Sequence, residues 1–287
     1  MHWTPRRERF RALLAGPRCI HPGSVFDPIS ARIAEDLGFE VGMFAGSVAS
    51  LTVLGAPDLI VLTLSEFAEQ AHRICRAGTL PLLVDADHGY GNALNVKRTV
   101  EELETAGVAA LSIEDTRLPQ GYGQPRTELV SIDEGIGKMR AALEGRQDPA
   151  LVIAGRTSAP SVTDIADTVT RGRAYEAVGV DAFFVVGLKT RRDLEQLRAA
   201  IKIPIILGSS GPELKDLALL ASLGVRIALQ GHHPFMAAVQ ATYETLKALK
   251  DGTPPETLDR LASKDLMNRM TRDAAYQHWI NRFLEDT

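Results

Sequence analysis

From about residue 18 to residue 250, short apolar runs alternate with longer amphipathic segments, and this rhythm constrains the fold more than any other feature of the chain. The apolar runs fall at 18–21, 41–45, 80–84, 109–113, 151–154, 182–186, 203–207 and 226–229. Four or five residues is a strand's length rather than a helix's. The helical segments between them are expected at 28–37, 65–77, 95–106, 132–144, 165–177, 191–200, 213–222 and 235–250. Gly107, Gly179 and Gly224 each stand where a helix must end in a left-handed cap before the next strand. Eight strands joined by crossover helices predict an α/β fold with a closed parallel (β/α)8 barrel. A doubly wound open sheet is the alternative, weakened because no GxGxxG turn follows the first strand.

The barrel is expected to occupy residues 1–250 as the catalytic domain. After it, Asp251-Gly252-Thr253-Pro254-Pro255 reads as a linker, and residues 251–287 as linker plus C-terminal helices. In those helices Tyr276, Trp279, Ile280, Phe283 and Leu284 fall on one face. A barrel already has eight helices, so this extra face needs either its own barrel or a neighbouring subunit.

Composition narrows the function classes. A net charge of −4 supplies no basic field for nucleic acid or an anionic membrane surface, which leaves a small molecule as the expected partner. Cys19 and Cys75 are far apart and in no metal-type spacing, which predicts neither a disulfide framework nor a Cys-zinc site and points to a reducing cytoplasm. The basic segment 1–16 lacks the apolar stretch of an export signal, and no window approaches the roughly 18 apolar residues a membrane helix needs.

In a barrel the C-terminal strand ends share one rim, where chemistry is done. The third apolar run leads into Asp85-Ala86-Asp87-His88-Gly89-Tyr90-Gly91-Asn92. Period-two alternation turns Asp85 and Asp87 the same way, so both can face one hard cation; an acidic strand end before an ordinary turn is the plain alternative. Other strand ends contribute Asp27, Gly46-Ser47, Glu114-Asp115, Arg156-Thr157-Ser158, Gly187-Leu188-Lys189, Ser209-Ser210 and Gln230-Gly231-His232-His233. Each has a plain reading of its own. Glu114-Asp115 can cap a loop, Arg156 can serve a structural ion pair, Ser47 can belong to a small-residue turn, and the paired histidines can be solvated. Carboxylates on neighbouring strands beside an arginine suit a metal-bridged anionic substrate, because a guanidinium presents a planar fork to a carboxylate. Oxygen ligands without His or Cys among the acids predict Mg2+, with Mn2+ as the substitute.

These residues resemble the isocitrate lyase/phosphoenolpyruvate mutase superfamily. The similarity rests on Gly23 to Arg32, the run Asp85 to Val96, Ile113-Glu114-Asp115, Gly155-Arg156-Thr157 and Leu223-Gly224-Val225-Arg226. The resemblance implies Mg2+ held directly by Asp85, with Asp87 and Glu114 acting through water, and an α-keto carboxylate bound by Ser47, neighbouring backbone N–H groups and Arg156. It implies a C-terminal helix swapped between subunits and a homotetramer built as a dimer of dimers.

Departures from the family pattern choose the branch. The loop after the fourth strand reads Arg117-Leu118-Pro119-Gln120-Gly121-Tyr122-Gly123-Gln124, without the cysteine that the family's lyases use as acid/base. Strand six ends in Val185-Val186-Gly187 where those relatives carry a glutamate, and strand seven ends in Gly208-Ser209-Ser210 without their asparagine. The remaining combination resembles the oxaloacetate decarboxylase branch. That resemblance implies a Mg2+-dependent decarboxylation giving pyruvate and CO2 through an enolate, with His232 and Arg156 as catalytic groups and His232 facing the reacting carbon. A methylisocitrate-type lyase, a phosphonopyruvate hydrolase and a non-catalytic keto-acid-binding barrel are the alternatives.

Overall fold

Eight parallel strands follow one another around a single sheet in chain order, β1-β2-β3-β4-β5-β6-β7-β8, in a computed structural model that describes residues 3–124 and 126–284. The strands are β1 Gly23–Ser24, β2 Gly42–Ala45, β3 Leu82–Asp85, β4 Ala110–Glu114, β5 Val152–Thr157, β6 Ala182–Val186, β7 Ile205–Gly208 and β8 Val225–Ala228. The ring is closed by one parallel bridge, in which Ile20 N donates to Arg226 O and Ala228 N donates to Ile20 O. Parallel strands covered on both faces carry near-continuous apolar runs. Leu82-Leu83-Val84 and Ala182-Phe183-Phe184-Val185 are accordingly buried throughout.

The first strand departs from expectation. Residues 18–21 were expected to form it, yet β1 proper is Gly23–Ser24 and Ile20 reaches β8 alone. Pro22 has no N–H to donate, and at that point the chain changes partners, from β8 at Ile20 to β2 at Gly23. The other seven strands begin within two residues of their expected places, and β5 runs three residues further than expected, to Thr157.

The helices are α1 Thr4–Ala15, α2 Pro28–Asp36, α3 Gly46–Ala49, α4 Leu64–Cys75, α5 Ala93–Ala106, α6 Ile132–Gly145, α7 Ala159–Val162, α8 Ile165–Val178, α9 Arg191–Ala200, α10 Leu217–Ser222, α11 His233–Lys250, α12 Lys264–Thr271 and α13 Asp273–Phe283. A π-helical turn, Ser50–Leu54, continues α3. Helix α10 is shorter than the expected 213–222, because Asp216 accepts from Ala218 N and Leu219 N and so caps the helix at Leu217. The three glycine stops have φ of +99° at Gly107, +101° at Gly179 and +81° at Gly224, the left-handed conformation that only glycine adopts cheaply.

Helix α1 buries Phe10 and Leu14 together with two arginines, Arg6 and Arg7. Arg7 Nε donates to Val108 O at 3.0 Å and Nη2 to Glu104 O at 2.6 Å, while Nη1 meets Asp148 Oδ2 at 2.8 Å. Arg6 donates to the carbonyls of Cys75 and Gly78 at 2.7 and 2.8 Å, and Arg11 to those of Ala150 and Leu151 at 2.9 and 3.0 Å. Those carbonyls precede β3, β4 and β5, so α1 serves the N-terminal mouth of the barrel.

The chain divides into two compact units, 1–232 and 233–287, so α11 groups with the C-terminal helices. Within the second unit, Met236, Val239, Tyr243, Leu246 and Leu249 on α11 and Tyr276, Trp279, Ile280 and Phe283 on α13 are exposed. Met1 and Glu285 to Thr287, the outer ends of the two expected domains, lie outside the described residues.

Candidate active site

The C-terminal strand ends of the first unit surround a cavity of about 690 Å3. Of the residues singled out in the sequence, Ser47, Asp85, Asp87, Glu114, Arg156 and His232 all line it. Asp85 is the last residue of β3, and its partner in the β4 register is Ser112, whose Oγ donates to Asp85 Oδ1 at 3.0 Å. Glu114 ends β4 directly opposite Arg156 in β5. The Arg156 guanidinium pairs through Nη1 with Asp85 Oδ2 and through Nη2 with Glu114 Oε2 at 3.2 Å. It also lies over the Phe184 ring, 5.4 Å from the centroid.

Asp87 reaches the cavity by a different route from the one strand alternation suggests. The strand ends at Asp85, and Asp87 takes φ +48°, a left-handed conformation that aspartate tolerates. Glu114 N donates to Asp87 O at 2.8 Å, which ties this turn to the end of β4. A Cβ on Gly46 would stand 2.3 Å from Asp87 Oδ2, so the glycine makes room for the carboxylate beside Ser47. Behind the turn, the buried Lys138 donates to His88 O at 2.9 Å and Thr99 Oγ1 to Gly89 O at 3.0 Å. Asn92 then caps α5 by accepting from Leu94 N and Asn95 N.

Two strand-end acids serve elsewhere. Asp27 caps α2, accepting from Ser30 N at 2.6 Å. Asp115 alternates away from Glu114 and is fully buried, where it meets Arg171 at 3.0 Å and the Tyr175 hydroxyl at 2.7 Å. Of the fourth-strand loop, Leu118 and Gln120 line the cavity, and Pro125 lies outside the described residues. His232 lines the cavity with its Nδ1 2.9 Å from Ser24 Oγ, whereas His233 is the first residue of α11.

Three residues of this site were not among the sequence candidates. Ser112 orients Asp85, and a serine between Leu111 and Ile113 in a buried strand is a signal that could have found it. Ser24 orients His232 across the β1–β8 closure. Asp58 lines the cavity from the long connection between β2 and α4, where no strand register points to it.

The electrostatics of the rim are unbalanced. Four carboxylates, Asp58, Asp85, Asp87 and Glu114, share the cavity with the Arg156 guanidinium. Burial first, then Asp85 and Glu114, hold the Asp87 carboxyl well above the usual carboxylate range. Burial raises Glu114 too, with Arg156 pulling it back and Asp85 pushing it up, and burial followed by Asp85 raises Asp58. Burial works against the charge on Arg156, but Asp85 and Glu114 more than offset it and push its pKa up. A divalent cation fits this donor set, since the oxygens are hard and the negative charge exceeds what one guanidinium neutralises. Among the described residues no three His, Cys, Asp or Glu side chains are arranged to hold a metal ion directly. Water would therefore complete the shell, as is normal for Mg2+.

The phosphoenolpyruvate phosphomutase family model matches residues 10–250. A relative named oxaloacetate decarboxylase, from Bradyrhizobium diazoefficiens, is 59% identical over 274 residues, 96% of this chain and 95% of that one. Among solved structures, phosphonopyruvate hydrolase in complex with oxalate and Mg2+ superposes with a TM-score of 0.85 at 29% identity, covering 98% of this chain and 99% of that one. A 2,3-dimethylmalate lyase, described as a PEP mutase/isocitrate lyase superfamily member, gives 0.82 at 26% identity, covering 95% and 97%. By its family match and its near full-length relative, this chain belongs to the isocitrate lyase/phosphoenolpyruvate mutase superfamily, in the branch that holds the oxaloacetate decarboxylases.

Proposed function

We propose that this protein is a Mg2+-dependent carboxy-lyase that converts oxaloacetate to pyruvate and CO2. The observation that carries the reading is the joining, in one cavity, of an oxygen-rich acidic rim, one guanidinium and a histidine held by Ser24. The relative at 59% identity carries the name of that activity. Asp85 is assigned as the direct metal ligand, with Asp87, Glu114 and the additional Asp58 reaching the ion through water. The bound cation supplies Lewis acidity for the C2 oxygen as the C3–C4 bond breaks, worth several kcal/mol in reactions of this kind.

The chain's own residues do the rest. Ser47 and Arg156 hold the C1 carboxylate, so that the C3–C4 bond stands perpendicular to the C2 carbonyl plane. When CO2 leaves, its bonding pair passes into the C2–C3 bond and the carbonyl pair onto the C2 oxygen, giving the enolate of pyruvate. His232 then gives a proton to C3. With Nδ1 engaged by Ser24, Nε2 is the atom that carries it.

No cysteine stands in the cavity lining, and Cys19 and Cys75 are both buried, so the thiol acid/base of the family's lyases has no counterpart here. A panel of oxaloacetate, phosphonopyruvate and 2-methylisocitrate tests the assignment. Pyruvate from oxaloacetate alone is expected, with a loss of about 10²-fold or more in His232→Ala; comparable turnover of either of the others would displace it.

Assembly and location belong to the same reading. The exposed apolar faces of α11 and α13 support packing against a neighbouring subunit, as a swapped C-terminal helix in a dimer of dimers. Two buried free thiols suit a cytoplasmic enzyme, and among the described residues no helix is long and apolar enough to cross a membrane.

A further inference from the structure

The cavity holds a second side-chain cation that the mechanism above does not use. Lys215 lines it from the segment that follows β7, and its own residue is exposed at the mouth. The local fold places it there. Leu214 is buried in the core, Leu214 N donates to Gly211 O at 3.1 Å, and Gly211 N donates to Leu188 O at 2.9 Å, so the lysine extends from an anchored turn. A Cβ on Gly211 would lie 2.0 Å from Lys189 O, which shows how tightly that turn is seated.

The neighbouring acids do not neutralise it. Glu213 accepts from Arg191 N at 3.0 Å, and Asp216 is occupied as the cap of α10. Among the described residues no carboxylate pairs with Lys215. A lysine left unpaired between two acids, at the edge of a cavity that already holds four carboxylates, is placed to meet an incoming anion.

Ring geometry says which part of the anion. Asp85, Glu114 and Arg156 stand on β3, β4 and β5, whereas Lys215 follows β7, four strands from β3 in a ring of eight and therefore across the cavity from Asp85. His232 follows β8, next to it. Resting on the oxaloacetate reading, we propose that Lys215 is the specificity residue for the distal C4 carboxylate. The C1 end is held between Ser47 after β2 and Arg156 on β5, the C4 end points to Lys215, and the C3–C4 bond passes His232. The proximity of His232 to C3 then leaves it to the proton, and carboxylate orientation to Lys215.

A cation on the leaving carboxylate stabilises the bound substrate more than the transition state, in which that charge is being lost. An interaction of this kind lowers KM without raising kcat. Lys215→Met is therefore expected to raise KM for oxaloacetate about tenfold, the loss of one charge-assisted hydrogen bond, with kcat unchanged or slightly higher. Inhibition by oxalate, which has no distal carboxylate beyond the chelating pair, is expected to stay within about twofold of wild type, and Lys215→Arg is expected to restore KM. An unchanged KM in Lys215→Met, or an oxalate inhibition constant that rises in parallel with it, would overturn the assignment. Wild-type protein that fails to turn over oxaloacetate at all would remove the decarboxylase reading and this role together, which separates the two failures.

Discussion

The two mouths of the barrel both bury charge, and they treat it in opposite ways. At the N-terminal mouth Arg6, Arg7 and Arg11 spend their donors on backbone carbonyls and on Asp148 and Asp181. Glu104 in turn accepts from Gln147 N and Asp148 N, so acid and base are both satisfied. At the C-terminal mouth four carboxylates face Arg156, three of them are pushed up toward the protonated form, and Arg156 Nε is buried without a partner among the described residues. One end is finished as structure, while the other keeps a surplus of carboxylates around its cavity. Barrel enzymes show this division between a stabilising bottom and a reactive top.

Substitutions that separate activity from stability test this contrast. The largest effect is expected at the top. Arg156→Lys keeps a charge but loses the planar fork that spans Asp85 and Glu114, so kcat/KM should fall about 10²–10³-fold with the melting temperature little changed. Steady-state kinetics with a parallel thermal melt measures both. At the bottom Arg7→Met should do the reverse. It strands Glu104 and Asp148 beside unpaired carbonyls and should cost ~3–5 kcal/mol in urea unfolding, while kcat/KM of the surviving folded protein stays near wild type.

A smaller effect of opposite sign is expected for Asp87→Asn. Because the folded-state pKa of Asp87 is raised, the stability linked to its neutral form is complete below the ordinary carboxylate value and is lost as pH rises through the raised one. At neutral pH in chelator the variant should therefore be more stable than wild type, by about 1 kcal/mol. Millimolar Mg2+ should raise the melting temperature of wild type and do so less in the variant.

The smallest effect concerns the thiols. Burial pushes Cys19 up to about 11 and Cys75 up to about 12, so neither should react with Ellman's reagent at pH 8 until the protein is unfolded. Stability linked to the neutral thiols is full below pH 9 and falls as pH climbs through the raised values.

Much of the barrel was legible because its signals are local. Apolar runs of strand length and glycines at helix ends are set by burial on both sheet faces and by backbone sterics. Helix α1 was not legible, since its buried face mixes Arg6 and Arg7 with Phe10 and Leu14, which blurs the apolar period. The first strand was misplaced because Ile20 and Gly23 pair with different neighbours on either side of Pro22. At the rim, Asp85, Glu114 and Arg156 could be named because strand ends in register face one place. Asp58 sits on a long connection without register, so its arrival depends on tertiary structure. Asp27 and Asp115 show the converse, strand-end acids taken up by a helix cap and by an ion pair with Arg171. Alternation after Glu114 already argues against Asp115, a clue that resides in the sequence itself.

The central proposal is that the acidic rim is a metal site at which oxaloacetate loses CO2. Its most direct test is the initial rate of pyruvate formation from oxaloacetate, measured with Mg2+, with excess chelator, and with the same Mg2+ and no protein. The rate with protein and Mg2+ should exceed the metal-only rate by orders of magnitude, fall to background in chelator and return when Mg2+ is restored. A rate indistinguishable from that of the metal alone would contradict it.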